Sequence, residues 1–209
     1  LSREAEKLGV DGFLLVTPYY NKTNQRGLIE HFFTIADHVN LPCIVYNVPS
    51  RTGVTIQPET YLALSKHPGI AGAKEASGNF SAIAQTMMLC GDELPIYSGN
   101  DDQIVPLLSL GGAGVISVLA NIAPEAVHEI CQTYFEGECE LSAQLQKQYL
   151  ELAQALFCDV NPIPVKAALS LMGIHAGRCR LPLPAPNGKD LARIRDALLK
   201  AGLPVMQCC

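Results

Sequence analysis

A lysine attacks a carbonyl carbon only as the neutral amine, so one that does covalent chemistry needs surroundings that disfavour the ammonium. Lys74 closes the run Ile70-Ala-Gly-Ala-Lys74, whose apolar residues would line its stem before the amine emerges. The competing reading is a lysine that snorkels outward to pair with a carboxylate such as Glu75, and position alone does not decide between them. Tyr46 closes the preceding apolar run, Cys43-Ile-Val-Tyr46, and should open into the same mouth. A phenol within hydrogen-bond reach can relay protons in imine formation and carbon-carbon chemistry. Otherwise Tyr46 is a half-buried aromatic that caps the core with its hydroxyl in water.

Arg51 stands two residues past Pro49 in what reads as a constrained loop. A guanidinium there can grip a substrate carboxylate with two parallel hydrogen bonds, although loop arginines without a ligand are also common. Tyr19 and Tyr20 follow Pro18, and paired tyrosines on a rigid proline turn suit a contact surface, one staying at home and the other reaching across an interface. Gly111-Gly-Ala-Gly114 has the look of a phosphate cradle. Those glycines precede their strand and so lie at the end opposite the chemistry, where a tight turn accounts for them.

These residues presuppose a scaffold. Short apolar runs at Phe13 to Thr17, Cys43 to Asn47, Ile70 to Lys74, Pro95 to Ser98 and Gly114 to Ser117 alternate with helix-like stretches. The helices are expected over Asn24 to Val39, Pro58 to Lys66, Asn79 to Cys90, Asp101 to Leu110 and Pro124 to Phe135, each opening on a helix-entry residue. Continuous apolar strands separated by helices predict an α/β class with a parallel sheet covered on both faces. Catalytic groups in such folds collect at the carboxyl ends of the strands, where Lys74 and Tyr46 fall. After residue 136 the pattern turns to helices alone, through Leu156, from Pro162 to Met172 and from Asn187 to Ala201, the last entered by the Pro-rich stretch Leu181 to Pro186. The expected division is thus 1–136 and a C-terminal helical region, 137–209.

Composition narrows the functions. With 48% hydrophobic and 17% charged residues over 209 positions the chain can bury a sizeable core, and its net charge of -5 offers no basic stripe for nucleic acid and no polybasic patch for lipid. The apolar stretch Gly111 to Ala120 is too short to cross a bilayer. The eight cysteines are scattered and form no CxxC. Cys43, Cys90, Cys131 and Cys158 sit in apolar company, which reads as buried free thiols in a reducing cytoplasm, while Cys208 and Cys209 read as an oxidation-prone frayed tail.

Together, Tyr46-Asn-Val-Pro-Ser-Arg-Thr-Gly53, the step to Lys74-Glu-Ala76, Thr17-Pro-Tyr-Tyr-Asn21 and Asn161-Pro-Ile-Pro-Val-Lys166 closely resemble the dihydrodipicolinate synthase family, in the same order along the chain. The resemblance implies a (β/α)8 TIM barrel followed by a helical region. It implies a lyase that condenses pyruvate with aspartate-4-semialdehyde in the diaminopimelate route to lysine, in the cytoplasm, as a dimer or tetramer. Lys74 would form the imine with pyruvate, with no cofactor and no metal. Tyr46 would shuttle protons, Tyr20 would serve a neighbouring subunit's site, and Arg51 would hold the semialdehyde's carboxylate. Gly99 and Ile116 would line the pyruvate pocket through their backbones, and Tyr19 matches a residue of the family's lysine-feedback site. N-acetylneuraminate lyase and sugar-acid aldolases share the fold and the lysine, but the Ser50-Arg-Thr-Gly53 segment argues for the synthase. A non-catalytic binding or assembly module is the alternative of another class.

One departure stands against this match. A barrel of this type has eight strands, and five are expected here, as though the chain began in the helix before the fourth unit of a truncated barrel. The threonines that bind the pyruvate carboxylate in the family belong to the units not found, so low activity and an unstable, self-associating or rearranged sheet are expected.

Overall fold

The computed structural model describes residues 1–206; Cys208 and Cys209, read above as a frayed tail, lie outside the described residues. The chain begins with helix α1 (Ser2–Lys7) and continues through strand β1 (Phe13–Val16), α2 (Gln25–Ala36), β2 (Cys43–Asn47), the single turn α3 (Pro49–Thr52), α4 (Pro58–Ser65), β3 (Ile70–Glu75), α5 (Phe80–Cys90), β4 (Ile96–Ser98), α6 (Ile104–Leu108) and β5 (Gly114–Val115). Four longer helices follow: α7 (Pro124–Phe135), α8 (Cys139–Ala155), α9 (Ile163–Leu171) and α10 (Gly188–Lys200). Local chemistry explains several starts. The Asn24 side chain accepts from the Gly27 N–H at 3.0 Å and the Asn79 side chain from the Ala82 N–H at 3.2 Å, satisfying donors that the first helical turn leaves orphaned. Pro58 and Pro124 open α4 and α7, where the missing N–H costs nothing.

Asp101 behaves differently from the helix-entry residue expected of it. It begins a short 3-10 turn, Asp101–Gln103, and α6 proper is only Ile104–Leu108. Its carboxylate accepts instead from the N–H groups of Val118 and Leu119, at 3.1 and 2.9 Å.

Contacts divide the chain into two compact units, one of Leu1–Asn100 with Pro106–Ile116, the other of Asp101–Val105 with the residues from Ser117 onward. In the first unit, the five strands pair in parallel in the order β1-β2-β3-β4-β5. Crossovers between parallel strands are right-handed, so a strand order that never reverses places successive helices on the same side. The core follows that rule. Leu28 and Phe32 of α2, Tyr61 and Leu64 of α4 and Ile83 and Cys90 of α5 pack with Cys43, Val45, Ala73 and Ile96 of the sheet. Phe32, Leu28 and Leu64 are fully buried, each contributing roughly 1.5–3 kcal/mol by leaving water. The opposite face at β1 carries Leu14 and Val16, 48% and 36% exposed. The expectation of a sheet covered on both faces is corrected here: apolar runs report burial but not strand order, and it is the order that decides which side the helices take.

The glycines before β5 form the turn expected of them. The N–H groups of Gly111 and Gly112 bond back to the carbonyls of Leu108 and Leu107, Gly111 has a φ of +97°, and a Cβ on Gly112 would fall 2.0 Å from Leu107 Cδ2.

The second unit is helical. The buried Ser142 hydroxyl of α8 donates to the Ile130 carbonyl of α7 at 2.6 Å, and Gln146 of α8 donates to the Asp102 carbonyl at 2.7 Å. Asn187 caps α10 by accepting from the Asp190 N–H at 2.9 Å, and Ile194, Ala197 and Leu198 turn its apolar face inward. Among the described residues no helix is long and apolar enough to cross a membrane. Cys43 and Cys90 are buried as expected, whereas Cys131 and Cys158 are only half-buried; burial pushes all four thiols up.

Candidate active site

Parallel strands in register place side chains in rows across the sheet, and alternate residues of each strand face opposite sides. One row runs Val16, Tyr46, Lys74, Tyr97 and Gly114, near the carboxyl ends of all five strands. Tyr46 and Lys74 are therefore lateral neighbours on one face, and the Lys74 Nζ stands 4.5 Å from the centroid of the Tyr46 ring. That is within the range in which a ring face attracts an ammonium. Lys74 is half-buried, its stem flanked by the Tyr46 and Tyr97 positions. Burial pushes the Tyr46 phenol up, opposed by the Arg51 guanidinium.

The alternative in which Lys74 reaches out to Glu75 fails on alternation. Glu75 is the next strand residue and faces the helices, 5% exposed. Its carboxylate accepts from the Tyr61 hydroxyl at 2.7 Å, from Asn47 Nδ2 at 3.0 and 3.2 Å and from the Ser77 N–H at 2.7 Å. Burial, followed by the Glu75 charge, pushes the Tyr61 phenol well above its ordinary value. The sequence assigns no role to Asn47 or Tyr61, and to Glu75 only that of an alternative partner for Lys74. A signal was available for two of them: Asn47 and Glu75 follow Tyr46 and Lys74 by one position, so both fall on the reverse face, where polar side chains need partners. Tyr61 reaches them only through the packing of α4.

Arg51 sits in α3, a helical turn where a loop was expected, and its side chain is exposed. The turn is tied to the sheet by the residue after Arg51. Thr52, 4% exposed, shares a hydroxyl hydrogen bond of 3.1 Å with the fully buried Thr17 just past β1, and also donates toward the Val48 and Val54 carbonyls. Gly53 ends the turn in the left-handed region, φ +67°, and a Cβ there would meet Lys22 Cε at 2.8 Å. Lys22 belongs to the loop of Tyr19 and Tyr20, so the two loops touch.

Tyr20 adopts a φ of +61°, and among the described residues no other non-glycine has a positive φ. Such a backbone costs on the order of 1 kcal/mol or more and persists where surroundings impose it, often at functional positions. Tyr19 and Tyr20 are 68% and 91% exposed, so neither ring packs at home. Gly99 and Ile116 lie beyond the ends of β4 and β5. Their N–H groups bond to the carbonyls of Glu75 and Ser98, both at 2.8 Å, extending the ladder past the strand ends. A Cβ on Gly99 would meet Ala76 Cβ at 2.8 Å and Lys74 Cε at 3.1 Å, so glycine is what lets the lysine stem pass. Lys166, in the second unit, donates from its Nζ to the Arg178 carbonyl at 3.3 Å. Among the described residues no group of three or more His, Cys, Asp or Glu is arranged to hold a metal ion.

A lysine amine, a neighbouring phenol and an arginine at the carboxyl end of a parallel sheet suit covalent attack on a small keto acid. Comparison with known proteins points the same way. The chain is 54% identical over 207 residues to the 4-hydroxy-tetrahydrodipicolinate synthase of Caldicellulosiruptor saccharolyticus, an alignment covering 99% of this chain and 70% of that one. It is 54% identical to 4-hydroxy-tetrahydrodipicolinate synthase 1 of Clostridium acetobutylicum, covering 95% and 68%. The crystal structure of dihydrodipicolinate synthase from Thermotoga maritima superposes with a TM-score of 0.93 at 43% identity, over 96% of this chain and 69% of that one. The lysine-bound enzyme from Cyanidioschyzon merolae does so with a TM-score of 0.93 at 38% identity, covering 97% and 69%. Residues 1–201 match the model of the Dihydrodipicolinate synthetase family, and the chain belongs to that family.

Proposed function

We propose that Lys74 forms a Schiff base with pyruvate and that the resulting enamine condenses with aspartate-4-semialdehyde, the reaction for which the family's enzymes are named. The observation that carries the reading is the juxtaposition of the Lys74 amine and the Tyr46 ring, 4.5 Å apart, on one face at the strand ends. The neutral amine attacks the keto carbon of pyruvate, and loss of water gives the imine. Removal of a methyl proton gives the enamine, whose carbon attacks the aldehyde. The amino group of the semialdehyde then displaces Lys74 as the ring closes. Tyr46 passes protons in these steps; burial keeps its phenol protonated and able to donate.

Arg51 receives the carboxylate of the semialdehyde on an exposed guanidinium that α3 holds beside Tyr46. The carbonyls of Gly99 and Ile116 line the pyruvate side. Tyr20, strained and exposed, is offered to the site of a neighbouring copy in a dimer or tetramer, and Tyr19 to a regulatory contact for lysine. The five strands are taken as units four to eight of an eight-stranded barrel, with 137–209 as the helical region beyond it. Six free cysteines among the described residues support a reducing, cytoplasmic setting.

The test is reduction with borohydride in the presence of pyruvate, followed by peptide mass spectrometry. A reduced pyruvyl group on Lys74 and on no other lysine is expected. A folded chain that acquires none would refute the reading and favour a non-catalytic module.

A further inference from the structure

We propose that Glu75, Asn47 and Tyr61 form a positioning clamp on the reverse face of the sheet, which sets the relative placement of Lys74, Tyr46 and the Arg51 segment. This rests on the reading of Lys74 as the nucleophile.

The argument begins from adjacency. Tyr46 and Lys74 are paired across β2 and β3, and so are the next residues, Asn47 and Glu75. Because the strands alternate, whatever joins Asn47 to Glu75 acts on the backbone that carries Tyr46 and Lys74 while touching neither side chain. Asn47 Nδ2 donates to both carboxylate oxygens of Glu75, at 3.0 and 3.2 Å, tying the strand ends together just past the reactive pair. The clamp then extends in three directions. Asn47 Oδ1 accepts from the Ile56 N–H at 3.1 Å, fixing the far end of the segment that carries Arg51. Glu75 Oε1 accepts from the Ser77 N–H at 2.7 Å, fixing the chain as it leaves β3. Tyr61 donates to Oε2 at 2.7 Å, anchoring both to α4.

All three side chains are 5% exposed or less, so their hydrogen bonds do not compete with water. A carboxylate in that setting would be costly as mere core filling, since an apolar residue packs there more cheaply. Its use is directional: donors from strand β2, helix α4 and the segment after β3 converge on one rigid group. Imine formation depends on the lysine and phenol being held in reacting geometry, and displacements of about 1 Å are enough to slow such steps severely.

The experiment measures borohydride-trapped labelling of Lys74 against pyruvate concentration in four proteins: wild type, Tyr61→Phe, Glu75→Gln and Ile83→Val. The last trims the same core, where Ile83 is 3% exposed, and serves as the stability comparator. Tyr61→Phe and Glu75→Gln should each lower the maximal labelling rate about tenfold while half-saturating pyruvate stays within about twofold, the pattern of a misplaced nucleophile. Ile83→Val should lower Tm and leave the rate unchanged. If Tyr61→Phe labels at the wild-type rate, or if its rate falls only as far as Ile83→Val does for the same loss of Tm, the clamp is structural and the proposal fails. Tyr61→Phe removes one hydroxyl and decides the matter alone should Glu75→Gln not fold. A wild-type chain that is never labelled overturns the Lys74 reading itself, a different result from labelled wild type with unaffected variants.

Discussion

Replacing Gly99 by alanine adds a single methyl group directly beside the lysine stem. The new Cβ would lie 2.8 Å from Ala76 Cβ, 3.1 Å from Lys74 Cε and 3.3 Å from the Glu75 carbonyl oxygen. Ordinary carbon contacts are about 3.5–4.0 Å, so Ala76 must retreat by roughly 0.7–1.2 Å and the lysine by roughly half an ångström or more. Ala76 has no rotamer with which to yield, so the backbone between β3 and Ser77 must move. Overpacking of this kind costs about 1–3 kcal/mol, which for a chain of this size corresponds to a fall in Tm of roughly 2–12 °C. The same displacement acts on Lys74, so the trapped-imine rate should fall by at least about tenfold. Gly112→Ala provides the contrast: its Cβ would collide with Leu107 Cδ2 at 2.0 Å, but at the opposite ends of the strands. It should lower Tm and leave the rate of the surviving folded protein near wild type. A Gly99→Ala protein that traps pyruvate as fast as Gly112→Ala at matched Tm would refute the reasoning.

Arg51→Lys should leave pyruvate trapping on Lys74 intact and lower the condensation rate at low semialdehyde by about ten- to a hundredfold, as expected for loss of a charged hydrogen-bond pair worth roughly 1.5–3 kcal/mol; stopped assays with each substrate varied would show it. Burial raises the Tyr61 phenol well above its ordinary value, so folding favours the protonated form. Stability is then fully present below the ordinary phenol value and is lost as pH rises past about 10, and urea melts at pH 8 and above 10 should show a loss that Tyr61→Phe reduces. Asn187→Ala removes the acceptor for the Asp190 N–H and should cost about 1 kcal/mol by thermal melting, without altering trapping on Lys74.

Much of the first unit is legible in its residues because strand and helix periods differ and the punctuation is chemical. Asn24 and Asn79 cap the helices they were expected to open, and each of the five expected runs overlaps a strand, β3 running one residue past its run to Glu75. Placing Lys74 and Tyr46 at strand ends likewise followed from where the runs stop. Three features did not follow, and for one reason: they depend on partners distant in sequence. Asp101 looks like any helix-entry residue until Val118 and Leu119 present their N–H groups to it. The one-sided arrangement of helices depends on strand order, which no apolar run records. The Glu75 carboxylate is satisfied by Tyr61, from a helix that hydrophobic pattern places against the sheet without saying which residue reaches through.

Because β2 and β3 each present one residue forward and the next backward, their alignment determines the electrical character of the open face. If β3 slid by one position, the ammonium would be driven under α4 and the carboxylate would take its place beside the phenol. The exchange would be costly, because the ammonium would lose its water in a site 5% exposed or less, where the buried Asn47 and Tyr61 groups are arranged to donate to a carboxylate. Misaligned forms are therefore disfavoured, and a chain that has found its hydrogen-bonded carboxylate has, by that event, turned Lys74 to the opposite face.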